Sequence, residues 1–233
     1  LGFFNRVYLA NLISNAELGR YQLIFPIFMF CMAVSCAGIQ VAVSKIVAAY
    51  HGAGKKKAIR QTIKSAGITS LIVALLSSGC VIAFSEPISR WILKDISCRG
   101  YLVIMAIAIP FAAVHTCVGG YFYGIRHTAV PAVTQLLEQV VRVVTIYLLG
   151  AMMYQKGKID ASVAVWGLAA GEIFSCFLTW ICYRFSIRSQ NGGSGSGEPI
   201  RKILRQLWQY GGFLTANRVS VTLLQSTEMI LMP

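Results

Sequence analysis

The sequence predicts an all-α fold, a polytopic transmembrane helix bundle, and three observations carry that expectation. Hydrophobic residues make up 56% of the 233 residues and charged residues only 12%, about half the charged share of a soluble domain. Uncharged runs are long: Tyr21 to Ser44 covers 24 residues and Ser65 to Ser85 covers 21, while Gly100 to Ile125 contains only His115 as an ionisable basic group. A spanning helix needs about 20 such residues. The basic residues, finally, gather at alternate ends of these runs.

Helices are expected over 1–15, 21–49, 58–84, 100–125, 129–154, 161–186 and 203–232. The first is apolar from Leu1 onward, so the sequence is expected to continue upstream. The second contains Pro26 and Gly38, the fourth Pro110, Gly119 and Gly120, and the fifth Pro131. Such breaks are tolerated in membranes because neighbouring helices satisfy the freed backbone groups; they serve either close packing or bending.

The net charge of +13 follows topology rather than nucleic-acid binding. Lys45, Lys55, Lys56, Lys57, Arg60, Lys64, Arg126, Arg184, Arg188, Arg201, Lys202 and Arg205 lie on the even-numbered connections, against Arg20, Arg90, Lys94, Arg99, Lys156 and Lys158 on the odd ones. Lysine and arginine mark cytoplasmic loops. The expected protein is therefore multi-pass in the cell membrane with a cytoplasmic N-terminus, and Lys55 to Lys57 is a secondary attractor for anionic lipid. Seven scattered cysteines show no ligand spacing, which favours small buried hydrophobes over a metal site or a disulfide framework. No HExxH, GxSxG or nucleotide loop is present, so neither an enzyme nor a cofactor is expected.

Residues 187–202, containing Asn191-Gly192-Gly193-Ser194-Gly195-Ser196-Gly197, read as a flexible cytoplasmic linker, natural or grafted. Across it the sequence repeats. At an offset of 212, Asn5, Arg6, Val7, Leu12 and Ser14 match Asn217, Arg218, Val219, Leu224 and Ser226. Six spans separate the copies, so both run the same way, as in parallel transporter repeats. Residues 1–186 are expected to form a six-helix N-terminal lobe, and 203–233 the first helix of a second, parallel-repeat lobe.

Six ionisable residues lie inside apolar runs: Arg6, Arg142, Arg218, Glu138, Glu172 and Glu228. Each costs about 2.5 to 3.5 kcal/mol at a membrane centre, so such groups face a bundle interior or a wet cavity. Glu138 and Arg142 stand four apart in the favourable order and meet on one helix face. Glu172 and Glu228 have no sequential partner, and His115 reads as a hydrogen-bonded packing residue.

The stretches Gly2-Phe3-Phe4-Asn5-Arg6-Val7-Tyr8-Leu9-Ala10, Leu18-Gly19-Arg20-Tyr21-Gln22-Leu23-Ile24-Phe25-Pro26 and Gly38-Ile39-Gln40-Val41-Ala42-Val43-Ser44-Lys45 resemble polysaccharide-biosynthesis flippases of the stage V sporulation protein B-like branch. Gln135 to Val143 and Asn217 to Ser220 are similar to its fifth and seventh helices. The resemblance implies the N-terminal half of a transporter in the multidrug/oligosaccharidyl-lipid/polysaccharide exporter superfamily. Its members have two lobes around a cavity. Such a protein flips a lipid-linked oligosaccharide or wall precursor by alternating access, driven by membrane potential or an ion gradient, and is expected to be a monomer when full-length. Gln40 stands where that branch often has proline. On this resemblance Arg6 and Arg218, with Asn5, Asn217 and Gln40, bind the cargo's diphosphate, since arginine donates a bidentate fork and keeps its charge. Glu138, Arg142, Glu172 and Glu228 are ion-pairing or ion-coupling residues. The alternatives are a cation-coupled multidrug exporter and a non-transporting scaffold for envelope synthesis.

Overall fold

The computed structural model describes residues 9, 12–154, 160–189 and 198–231, and every regular element among them is helical. Helix α1 spans Asn15–Gly52, α2 Lys56–Ala83, α3 Cys98–Gly124, α4 Ala129–Tyr154, α5 Ser162–Ser189 and α6 Ile200–Leu231. Helices α1 to α5 are long and apolar enough to cross a membrane. Helix α6, although 32 residues long, is not in that group: Arg201, Lys202 and Arg205 make its first turns polar, and Asn217 and Arg218 interrupt its second half. The expected helix over 1–15 falls almost entirely outside the described residues. Helix α5 continues to Ser189 and α6 starts at Ile200.

Helix α1 starts where Ser14, extended at ψ 156°, accepts the Glu17 N–H at 3.3 Å. This satisfies one of the orphan donors at a helix start. Within α1 the turn Ala33–Ala37 widens to a π-helix, a local change of register that sequence periodicity does not reveal. Its end is a Schellman turn: Gly54 takes φ +69°, and the Lys55 N–H reaches the Tyr50 carbonyl at 2.9 Å. Helix α3 ends in the same way, with the His127 N–H on the Phe122 carbonyl at 2.9 Å, but Arg126 occupies the left-handed position at φ 63°. The 84–97 connection, expected as a loop, contains a helical turn Ser85–Pro87 and a π-turn Ile88–Ile92.

Helix α3 is the centre of the bundle, with Leu102, Ala106, Ile109, Ala112, Ala113 and Cys117 all fully buried. It packs on α1, α2 and α5, and α4 packs against the far side of α5. Small residues set these distances. A Cβ on Gly120 would stand 2.6 Å from the Gln40 carbonyl, and one on Gly124 2.8 Å from Val47 Cβ. Gly167 and Gly171 form a G-x-x-x-G face on α5 where a Cβ would meet α4 at 2.5 and 3.3 Å. Large apolar side chains such as Leu75, Leu76, Tyr147 and Leu148 are exposed on the outer faces of α2 and α4, as a lipid-facing surface requires.

Helix α6 lies along α1, from its Tyr50 end through the Ala33–Ala37 turn to the Asn15–Met32 segment. It crosses α1 at Gly38, whose hypothetical Cβ would lie 2.2 Å from the Gly211 carbonyl. Tyr50 donates to Gln206 at 3.2 Å, and Lys45 lies 5.8 Å from the Tyr210 ring. At this end Glu198 receives Lys55 at 2.7 Å and Lys202 at 2.9 Å, and these two hydrogen bonds hold its carboxyl down at about 2. At the opposite end Arg20 binds Glu17 and, at 2.6 Å, Asp95. Arg20 and the Ser97 N–H hold the Asp95 carboxyl below the usual range.

Candidate functional site

The close contact of α4 with α5 frames a buried charged cluster. Glu138 and Arg142 sit one turn apart on α4, with Arg142 Nη2 2.8 Å from Glu138 Oε1. Because Gly171 lets α5 lie against the backbone of Glu138, the next residue, Glu172, reaches the same guanidinium, its Oε1 standing 3.6 Å from Nη2. From α3, His115 Nε2 meets Glu172 Oε2 at 2.9 Å. The other imidazole nitrogen, Nδ1, is 3.4 Å from Ser175 Oγ on α5. Three helices therefore share one network, and both carboxylates are only 6% exposed.

Beside the network lies a cavity of about 210 Å³, lined by Gln40 of α1, by His115, Thr116, Gly119 and Tyr123 of α3, by Pro131, Thr134, Gln135 and Glu138 of α4, and by Ser175 and Thr179 of α5. It extends from Tyr123 and Pro131 to His115 and Glu138. Among the described residues its lining contains no lysine or arginine. Thr179 is 3% exposed and its Oγ1 has no hydrogen-bond partner, an unsatisfied polar group of the kind that carries a cost when buried.

One ligand atom from each of His115, Glu138 and Glu172 lies within 4.8 Å of the others, the spacing of a metal site. The chemistry does not fit one. The Arg142 guanidinium binds one of these carboxylates and faces the other at ion-pair distance, and a divalent cation there would be repelled at close range.

Of the residues singled out in the sequence, the structure brings Glu138, Arg142 and Glu172 into one cluster and puts Gln40 in the adjoining cavity. Asn217 and Arg218 stand exposed on the distal half of α6, apart from that cavity. Asn5 and Arg6 lie outside the described residues, as does the side chain of Glu228. Glu172, without a partner in sequence, has two in space. His115 is hydrogen-bonded, as expected of a packing residue, but its partner is a buried acid. Thr179 gave no sequence signal; the G-x-x-x-G of Gly167 and Gly171 did, and it marks the helix pair that holds the cluster.

Comparison with known proteins places these features in a family. The profile of the family described as polysaccharide biosynthesis protein matches residues 1–232. Stage V sporulation protein B of Bacillus subtilis is 25% identical over 186 residues, covering 79% of this chain and 36% of that protein. Among solved structures, the outward-facing conformation of a multidrug resistance MATE family transporter of the MOP superfamily superposes with a TM-score of 0.68 at 17% identity, covering 95% of this chain and 49% of that one. A MOP superfamily transporter from Pyrococcus furiosus, described as having a binding pocket of reverse polarity, gives 0.65 at 18% identity over 95% of this chain and 49% of that one. The chain thus spans about half the length of these solved relatives.

Proposed function

We propose a transport function on a premise that is itself established: the chain belongs to the polysaccharide biosynthesis protein family, and it is a multi-pass membrane protein. In this reading it supplies the N-terminal lobe, residues 1–186, of a two-lobed flippase, joined by 187–202 to the first helix, 203–233, of the second lobe. The cargo is a lipid-linked oligosaccharide or wall precursor, moved across the cell membrane by alternating access, with the N-terminus and the lysine-rich Lys55 turn in the cytoplasm. No catalytic step is assigned to it.

The observation that supports this most is a polar cavity backed by buried charges inside an otherwise apolar bundle, an arrangement that membrane proteins keep for the passage of polar species. The cargo's diphosphate calls for cationic partners. Arg6 and Arg218, with Asn5 and Asn217, are its binding residues in this proposal, on the first helix of each lobe, while Gln40 borders the inner cavity. Glu138, Arg142 and Glu172 brace the lobe and respond to the coupling ion, and Glu228 belongs with them in function.

Among the described residues the cavity wall carries Glu138 and no lysine or arginine, which favours a second reading, a cation-coupled exporter of cationic drugs, because an acidic wall attracts them. Mass spectrometry of species copurifying with the two-lobed protein separates the two. A bound lipid-linked sugar diphosphate supports the flippase, whereas a bound organic cation supports the exporter and sinks the first reading.

A further inference from the structure

We propose that the 84–97 connection is a docking site for an anionic phospholipid, meeting the boundary between acyl chain and headgroup with Phe84, Trp91, Ile92 and Ile96 and the phosphate with Lys94. The proposal is independent of the transport reading, because this lipid belongs to the surrounding bilayer and is not cargo.

The connection is apolar where a loop in water would be polar. Trp91 is 81% exposed, more than any other large hydrophobic side chain among the described residues, and Phe84, Ile92 and Ile96 are exposed with it. The opposite face holds the connection to the bundle. Ser85, Ser89 and Leu93 follow one another at helical spacing and are buried, and Leu93 belongs to the same core cluster as Cys98 and Leu102 of α3. The turns Ser85–Pro87 and Ile88–Ile92 thus lie against the rim of the bundle with large apolar side chains outward, the build of an interfacial segment.

Position argues for lipid as the occupant. None of the exposed residues from Leu71 to Phe84 carries a charged or hydroxyl side chain, so the lipid-facing surface of α2 runs unbroken into the connection. The first basic groups beyond that run are Arg90, Lys94 and Arg99, all exposed. Tryptophan beside lysine and arginine at the end of an apolar span is the composition of the level where acyl chains meet headgroups, and long basic side chains reach from that depth to the phosphates.

The local ion pairs single out Lys94. Glu86 is held by Arg90 at 2.9 Å and by Arg99 at 3.3 Å, and Asp95 by Arg20 at 2.6 Å. Among the described residues Lys94 takes part in none of these pairs. It stands at φ 54°, where glycine would be less strained, and its ammonium is the group left to meet a phosphate. The pair of Asp95 with Arg20 carries the consequence into the fold, because it ties the connection to α1: with lipid bound, the ends of α1, α2 and α3 are fixed at one depth in the bilayer.

The test is tryptophan quenching in the chain reconstituted into vesicles of phosphatidylcholine and phosphatidylglycerol. Trp91 is read as the difference in emission between the unmodified chain and Trp91→Phe, a conservative change at so exposed a site. Bromine on the upper acyl carbons is expected to remove most of this difference emission, bromine at the chain ends much less, and iodide in the water little. Strong iodide quenching with no loss to brominated lipid would overturn the proposal in favour of a loop in water. Resistance to both quenchers would overturn it in favour of a protein cover, such as a second copy of the chain, and stronger quenching from the chain ends would overturn it by placing the connection in the hydrocarbon core. The phosphate contact is read by comparing brominated phosphatidylglycerol with brominated phosphatidylcholine. Lys94→Gly, with its own Trp91→Phe blank, removes the cation and relaxes the left-handed backbone, and is expected to lower the preference for the anionic lipid about fivefold. An unchanged preference would overturn the role of Lys94 and, with it, the docking site.

Discussion

Two arginines inside the helical runs of this chain meet opposite fates. Arg142, on α4, is enclosed by three helices, with side-chain exposure of 11% and carboxylates at 2.8 and 3.6 Å. Arg218, on the distal half of α6, is exposed. Both lie among apolar neighbours in the sequence. What separates them is whether a second helix arrives with the opposite charge: the glycines of α5 bring Glu172 to Arg142, whereas among the described residues no carboxylate forms an ion pair with Arg218. The first arginine is part of the lobe's construction, and the second is available to whatever faces that half of α6.

The contrast breaks most visibly on truncation. Arg142→Ala leaves two carboxylates buried without their cation and is expected to cost about 3 to 5 kcal/mol, read as a large drop in melting temperature or as lost expression. Arg218→Ala is expected to shift stability by no more than about 0.5 kcal/mol while abolishing transport by the two-lobed protein, as Arg6→Ala should. Unchanged transport would remove both from the cargo site, and equal destabilisation by Arg142→Ala and Arg218→Ala would erase the distinction drawn here.

The next test addresses the approach of α5 to α4. Gly167→Leu drives a side chain into Ile146, where even a Cβ would sit at 2.5 Å, and overpacking of this kind costs about 1 to 3 kcal/mol. A thermal melt unaltered by the substitution would show that the two helices separate freely, and that the cluster does not depend on their contact.

Smaller changes probe the ends. Replacing Arg126, left-handed at φ 63°, by glycine removes a Cβ clash and is expected to stabilise by about 1 kcal/mol, matching the Gly54 turn. A melting temperature below that of the unmodified chain would mean that the Arg126 side chain makes a contact worth more than the strain. The least effect belongs to Glu198, the tie between α6 and the Lys55 turn. Its carboxyl is held down at about 2, below the ordinary value of about 4.3, so its contribution is fully present above the ordinary value and is lost as pH falls through the folded one. Glu198→Gln should therefore lower stability slightly at neutral pH and leave it unchanged near pH 2, flattening the acid limb between those limits, as melts across that range would check.

Much of this was legible in the chain itself. The helix expected over 58–84, around the uncharged run Ser65 to Ser85, matches α2 within two residues at either end, because twenty apolar residues have few other solutions, whereas α1 begins at Asn15, six residues before the run from Tyr21. The i,i+4 spacing of Glu138 and Arg142 determined their pairing, because one turn of helix places them together. The family followed from motifs along the whole chain. What only the tertiary structure decided lies between helices. Fifty-seven positions separate His115 from Glu172, and no periodicity links them. The π-turn at Ala33–Ala37 changes which face of α1 meets α6 without leaving a compositional trace. Local sequence governs where a helix runs and which side chains lie one turn apart, but the partner of a buried charge depends on how closely another helix approaches, and that distance is set by packing at residues such as Gly38, Gly167 and Gly171.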